Sequence, residues 1–216
     1  MKIILASANA KKIKELKAIL GVENVVGYQE LFGDFEIVEY GKSFSENAWI
    51  KAREIESRAK EIEEDYLIVA DDSGLCVEAL GGMPAIYSAR FANIKANLEE
   101  LKEGKFKIPV EGGSDEANNL KLLEYLLEVG GKSKAKFVCT LAVCGRIKEG
   151  RVEEEFYGEL EGNVISAPLN PQAFGYDPLF IPKGYEITLD RIEEKNTLSH
   201  RFRALEKLKN FLREIL

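Results

Sequence analysis

The sequence predicts an α/β fold with a mixed β-sheet, and three features carry that reading. Short apolar runs of strand length alternate with amphipathic helical segments through the first half of the chain. Two strand-like runs then flank the turn Lys148-Glu149-Gly150, as in a hairpin. The last strong element is again helical.

In chain order, Lys2 to Ala6 reads as a buried strand. The polar stretch Ser7-Ala8-Asn9 leads into a helix with Ile13, Leu16 and Leu20 on one face and Gly21 as its stop. Ser43-Phe44-Ser45-Glu46 is a capping-box pattern, opening a long helix whose Phe44, Ala48, Ala52, Ile55, Ala59 and Ile62 step by three and four. A strand over Tyr66 to Ala70 follows, then the acidic turn Asp71-Asp72-Ser73-Gly74 and a second apolar stretch, Leu75 to Val77. Gly81 to Gly113 reads mostly as loop, with short helix around Pro84 and over Asn97 to Lys102. Glu116 to Val129 is helical, its buried stripe expected at Ala117, Leu120, Leu123 and Leu127, with Gly130-Gly131 as the stop. Lys136 to Val143 and the return through Phe156 form the hairpin. Ala167 to Pro182 is rich in proline and aromatics, and the final helix begins at about His200, with Phe202, Leu205, Leu208 and Leu212 apolar.

At 216 residues the chain suffices for one sizeable domain over 1–216, or for two lobes sharing a sheet, without disulfides to compensate for a small core. Apolar runs such as Leu67-Ile68-Val69-Ala70 are far too short to span a bilayer. Met1 to Ser7 lacks a signal peptide's apolar core, so the chain reads as cytoplasmic, without membrane attachment. Cys76, Cys139 and Cys144 stand in apolar, strand-like contexts with no zinc spacing, and read as buried thiols in a reducing compartment. A net charge of −7 argues against DNA or RNA as partner, which demand a broad basic face. A small anionic substrate remains, held by a local basic cluster and a divalent cation.

Five segments could carry such chemistry. Ser7 to Lys12 lies between strand and helix, where free N–H groups favour an anion; a capped helix start with solvated lysines explains the same residues. Asp71-Asp72 ends a buried strand. Adjacent carboxylates there require a cation, hydrogen bonds or water, and strand alternation lets only one of them face a shared site. An acidic turn is the competing reading. Glu46, Asn47 and Lys51 fall in the first two turns of the long helix, Asn47 and Lys51 on one face, which is also how a solvent-facing stripe looks. Phe174 to Phe180 gathers three aromatics around Gly175 and Asp177, suited to stacking a base or to plugging a core. Lys195, His200, Arg201 and Arg203 concentrate positive charge at the start of the last helix, as an ordinary polar helix start also would.

Taken together and in order, these blocks resemble the inosine triphosphate pyrophosphatase family. They are Ser7-Ala8-Asn9-Ala10-Lys11-Lys12, Ser43 to Ala48 with Lys51-Ala52, Ala70 to Leu75, Gly81 to Arg90, Phe174-Gly175-Tyr176-Asp177, and Lys195 with Ser199-His200-Arg201. The resemblance implies an elongated mixed sheet with flanking helices, two lobes around a central substrate cleft, and a homodimer. It implies Mg²⁺-dependent hydrolysis of non-canonical purine nucleoside triphosphates (ITP, dITP, XTP) to the monophosphate and pyrophosphate. By position, Ser7, Ala8, Asn9, Ala10, Lys11 and Lys12 hold the triphosphate, and Glu39 and Asp72 bind Mg²⁺. Asp72 is also the general base, with Lys12 and Lys51 as the catalytic cations. Ser73 contacts the nucleotide, Phe174, Gly175, Tyr176 and Asp177 form the base and sugar wall, and Lys195, His200 and Arg201 read the purine's keto edge.

Selection of a 6-oxo purine over adenine needs such donors, because a donor facing an amino group leaves both unpaired. The family commonly carries glycines just before Phe-Gly-Tyr-Asp. Here Ala167 to Ala173 has none, so a stiffer loop is expected beside the base. Two other functions compete: a Maf-like pyrophosphatase acting on other unusual nucleotides, disfavoured by the Phe174 to Asp177 and His200-Arg201 blocks, and a non-catalytic nucleotide-binding module, which has no need of a base.

Overall fold

The structure, a computed structural model, describes residues 1–7, 10–167, 169–170 and 173–215. In chain order the elements are β1 (Lys2–Leu5), α1 (Ala10–Leu20), β2 (Val25–Gly27), α2 (Tyr28–Phe32), α3 (Phe44–Arg58), β3 (Tyr66–Val77), α4 (Leu98–Lys102), α5 (Asp115–Glu128), β4 (Lys132–Ile147), β5 (Gly150–Ile165), β6 (Phe180–Pro182), α6 (Lys195–Leu198) and α7 (His200–Ile215). Six strands form one sheet in the order β2-β1-β3-β4-β5-β6. Strand β1 pairs in parallel with β2 and β3, whereas β5 and β6 are antiparallel, so the sheet is mixed as expected.

The chain forms two compact units, and β3, β4 and β5 each contribute to both. The first comprises Met1–Asp72, Cys139–Gly158 and Arg201–Leu216; the second comprises Ser73–Val138 and Glu159–His200.

In the first unit, strand alternation sorts the side chains onto two faces. Ile3, Leu5, Leu67, Val69, Cys139 and Leu141 pack with Leu16 and Leu20 of α1 and Leu205, Leu208 and Leu212 of α7. Ile4, Ile68, Ala70, Ala142 and Cys144 pack with Ala48, Ala52 and Ile55 of α3. At Gly145 the sheet closes so tightly that a Cβ would stand 2.2 Å from the Tyr66 carbonyl oxygen. Glycine is required there by proximity alone.

The second unit has its own core, built on Leu75, Val77, Leu80, Phe91, Leu122, Leu126, Phe137, Tyr176, Leu179 and Phe180. Its helix α5 departs from the expected stripe. Leu120 and Leu127 are exposed (49% and 71%), and the buried face is Asn118, Asn119, Leu122, Tyr125 and Leu126. The asparagines are buried because they bond to backbone: Asn118 Oδ1 accepts from the Ala92 N–H, and Asn119 Nδ2 donates to the Gly175 carbonyl at 2.7 Å.

The second correction concerns the acidic segment. Asp71 to Gly74 is not a turn, since β3 runs unbroken from Tyr66 to Val77. Strands β2 and β6, three residues each, were not expected at all. The cysteines are free thiols, Cys139 and Cys144 buried and Cys76 partly exposed. Among the described residues no helix is long and apolar enough to cross a membrane.

Candidate active site

Because β3 continues through Asp71 and Asp72, the two carboxylates point to opposite faces of the sheet and meet different cations. β1 stops at Leu5, paired with Val69, so β3 outruns it by the acidic residues. Lys12, in the first turn of α1, reaches Asp71. Lys12 Nζ lies 2.8 Å from both Asp71 oxygens. Arg201, at the start of α7, brings its Nε to 3.5 Å from Asp71 Oδ2. Burial works against charge on Asp71, but Lys12, Arg201 and Lys51 together hold its carboxyl well below the usual range.

Asp72 faces α3. Lys51 Nζ stands between two carboxylates, 2.6 Å from Glu39 Oε1 and 3.4 Å from Asp72 Oδ1. Burial opposes the ammonium's charge, yet Asp72, Asp71 and Glu39 more than offset this and raise its pKa. The outcome for Asp72 is reversed. Burial, with the nearby charges of Glu39 and Asp71, outweighs Lys51 and Asn47 and pushes its carboxyl up to about 6. A carboxyl poised there is suited to taking a proton near neutral pH.

Asn47 organises this face, a role that the sequence did not reveal. It is buried, its Nδ2 donates to Asp72 Oδ2 at 3.1 Å, and its Oδ1 accepts from the Gly41 N–H at 2.9 Å. One side chain thus fixes both the carboxyl and the segment that carries Glu39. Gly41 has to be glycine, because a Cβ would lie 2.6 Å from Asn47 Oδ1 and 2.7 Å from Glu46 Cβ. The helix start holds this arrangement. Ser43 Oγ accepts from the Glu46 N–H, while the Glu46 carboxylate turns to the Lys42 N–H, so half of the expected capping box forms. A spacing of four between Asn47 and Lys51 was the signal available.

Lys12, Glu39, Lys51, Asp72 and Arg201 are therefore gathered in the first unit, with Ser7 at the end of β1. Ala8 and Asn9 lie outside the described residues, as do the side chains of Ala10 and Lys11, whose backbone opens α1. Ser73 begins the second unit, half-buried.

The remaining expected residues belong to that second unit. Phe174 is exposed (54%), and Gly175 adopts φ +54°, a left-handed conformation that suits glycine. Asp115 Oδ2 accepts from the Gly175 N–H at 2.8 Å. Tyr176 does not present its ring for stacking. It is buried in the core, its hydroxyl donates to the Ser88 carbonyl at 2.7 Å, and burial beside Asp115 holds the phenol well above its ordinary pKa. Asp177 Oδ2 accepts from Lys195 Nζ at 3.1 Å. His200 stacks on Phe137, with centroids 5.0 Å apart and ring planes 11° from parallel. His200 and Arg201 open α7 side by side in sequence, at the boundary between the two units. Pro168, Pro171 and Gln172, on which the stiffer-loop expectation rests, lie outside the described residues.

The sequence pattern of the Ham1 family matches residues 3–211, through both units. The chain belongs to the Ham1 family. A dITP/XTP pyrophosphatase from Campylobacter jejuni is 41% identical to it over 99% of this chain and 98% of the relative. One of the same name from Aquifex aeolicus is 40% identical over 99% and 97%. Among solved structures, the Ham1 protein of Staphylococcus aureus superposes with a TM-score of 0.77 at 33% identity, covering all of both chains. A nucleoside-triphosphatase, dITP/XTP pyrophosphatase, from Mycobacterium abscessus gives 0.69 at 36%, over 96% and 98%. Membership of the Ham1 family thus rests on the whole chain rather than on one motif.

Proposed function

We propose that this chain is a single catalytic domain, 1–216, which hydrolyses non-canonical purine nucleoside triphosphates such as ITP, dITP and XTP to the monophosphate and pyrophosphate. The observation that carries the proposal is the Asp72 carboxyl, largely withdrawn from solvent, 3.4 Å from a Lys51 ammonium that also holds Glu39 at 2.6 Å and fixed by the Asn47 amide at 3.1 Å. Relatives about 40% identical along their whole length and named dITP/XTP pyrophosphatases support the same substrate class.

Charge supports a divalent cation. Among the described residues, Lys12 and Arg201 already face Asp71, and Lys51 faces Asp72 and Glu39. A triphosphate adds roughly four negative charges at neutral pH, more than cations already engaged by carboxylates neutralise without a metal. The donor chemistry fits Mg²⁺: Glu39 and Asp72 offer hard carboxylate oxygens around one cation position. Among the described residues no group of three His, Cys, Asp or Glu side chains converges. Mg²⁺ is commonly held in this way by one or two carboxylates, with substrate phosphates completing the shell. Bound at Glu39 and Asp72, Mg²⁺ would neutralise phosphate charge and polarise the phosphoryl group.

The residues then divide the work. Asp72 takes the proton from the attacking water, and Asn47 holds its carboxylate in place. Lys12 and Lys51 stabilise charge on the pyrophosphate leaving group. Phe174 offers a face to the base, while Lys195, His200 and Arg201 supply donors for a 6-oxo purine. The enzyme acts in the cytoplasm as a homodimer, without nucleic-acid partners.

The test is a nucleotide panel with product analysis. ITP and XTP are turned over well above ATP, GTP and CTP in the presence of Mg²⁺. Equal turnover of all five, or turnover of none with tight binding, would refute the proposal.

A further inference from the structure

We infer that Asp71 is a positioning residue that sets Lys12 and Arg201 together, so that phosphate contact and base selection depend on one buried carboxylate. The inference rests on the nucleotide reading above. Asp71 is 5% exposed, so it acts through the cations it holds rather than on the substrate itself. Its two oxygens hold one ammonium at 2.8 Å each, and Oδ2 also stands 3.5 Å from the Arg201 guanidinium. Three distant chain segments converge there: the first turn of α1, the middle of β3 and the first turn of α7.

A buried charge cluster adds little to stability compared with well-packed apolar side chains. Its distinctive effect is geometric. Both cationic groups converge on the buried anion, and their side chains keep partial exposure, 27% for Lys12 and 16% for Arg201. One carboxylate therefore fixes where both are held. The helices reinforce this linkage further along, since Lys209 of α7 donates to the Ile19 carbonyl of α1 at 2.7 Å. Displacing Asp71 releases both side chains at once.

The experiment compares the wild type, Asp71→Asn, Lys12→Ala, Arg201→Ala and the two double variants containing Asp71→Asn. Steady-state hydrolysis of ITP and ATP and calorimetric binding of tripolyphosphate are measured on the full chain. Asp71→Asn raises KM for ITP and lowers the ITP-to-ATP ratio of kcat/KM, each by about tenfold or more, and lowers kcat as well because Lys12 also meets the leaving group. In the Lys12→Ala background it no longer raises KM, and in the Arg201→Ala background it no longer lowers the ratio. A merely structural loss would reduce the active fraction and hence kcat, leaving KM and the ratio alone. Normal KM and ratio in folded Asp71→Asn, or fully additive effects in the doubles, would overturn the inference.

If Asp71→Asn does not fold, Asp71→Glu keeps the charge and shifts the oxygens by one methylene; the same paired loss is expected, and unchanged values overturn the inference. Inactivity of the wild type on every nucleotide defeats the nucleotide reading instead. Tripolyphosphate binding still decides about Lys12 in that case: Asp71→Asn weakens it to the level of Lys12→Ala, non-additively, and unchanged binding refutes the positioning role.

Discussion

The Asp72 carboxyl makes a quantitative claim about pH. Burial raises its pKa first, Glu39 and Asp71 add to the rise, Lys51 and Asn47 oppose it, and the balance is about 6. A general base acts only when ionised, so kcat/KM for ITP is full above that value and lost as pH falls through it. With a pKa of about 6 the ionised fraction drops from roughly nine-tenths at pH ~7 to one-tenth at pH ~5, a loss of about tenfold. A divalent cation on the same carboxylate competes with the proton, so raising free Mg²⁺ moves the acid limb to lower pH. Lys51 moves it too. At 3.4 Å its attraction for Asp72 is at most about 5 kcal/mol in an effective dielectric near 20. Even a third of that exceeds the 1.36 kcal/mol corresponding to one pH unit. Lys51→Met therefore displaces the limb upward by about one unit or more, besides lowering the rate. The assay is kcat/KM for ITP from pH ~5 to ~8 at two fixed concentrations of free Mg²⁺. A flat profile across the acid range, or a limb at the same pH in Lys51→Met, would refute the assignment of Asp72 as base.

Three further outcomes follow from the geometry. Asn47→Ala removes the bonds to Asp72 and to the Gly41 N–H, lowering kcat by about tenfold or more and stability by about 1–3 kcal/mol; unchanged kcat in denaturant-matched protein would remove Asn47 from the site. Gly145→Ala drives a Cβ into the Tyr66 carbonyl and destabilises the fold by about 3 kcal/mol or more, read as a shifted urea midpoint; an unshifted midpoint contradicts the close approach. Phe174→Ala raises KM for ITP while sparing stability, whereas Tyr176→Phe costs about 1 kcal/mol of stability through the lost Ser88 bond and spares KM; the reverse pattern would show that Tyr176 meets the base.

Much of this was legible in the sequence because the elements concerned are regular. Helices α1, α3 and α7 follow from apolar spacing, and the helix stop at Gly21 from its left-handed φ of +71°. The motif blocks and the resemblance they carry pointed to Lys12, Glu39, Lys51, Asp72 and Arg201; the fold places all five in one unit, with Lys12 and Arg201 on Asp71 and Lys51 on Glu39 and Asp72. What escaped depended on tertiary context. A period of two places Asp71 and Asp72 on opposite faces but names neither face; that is settled by α1 and α7 packing on one side and α3 on the other. The strand continues through two aspartates, against their propensity, because Lys12, Arg201, Lys51 and Asn47 compensate each carboxylate. In α5, leucines line both sides of the helix, and the choice between them fell to buried asparagines bonding to remote backbone. Tyr176 looked like part of a stacking wall because composition cannot separate a ring facing solvent from one whose hydroxyl has found a buried carbonyl.

The central claim is attack by water on the α-phosphorus with Asp72 as base, and hydrolysis of ITP in heavy-oxygen water tests it most directly. Mass spectrometry of the products should place the label in inosine monophosphate and leave pyrophosphate unlabelled. Label in pyrophosphate, or release of labelled orthophosphate with a nucleoside diphosphate, would contradict the account.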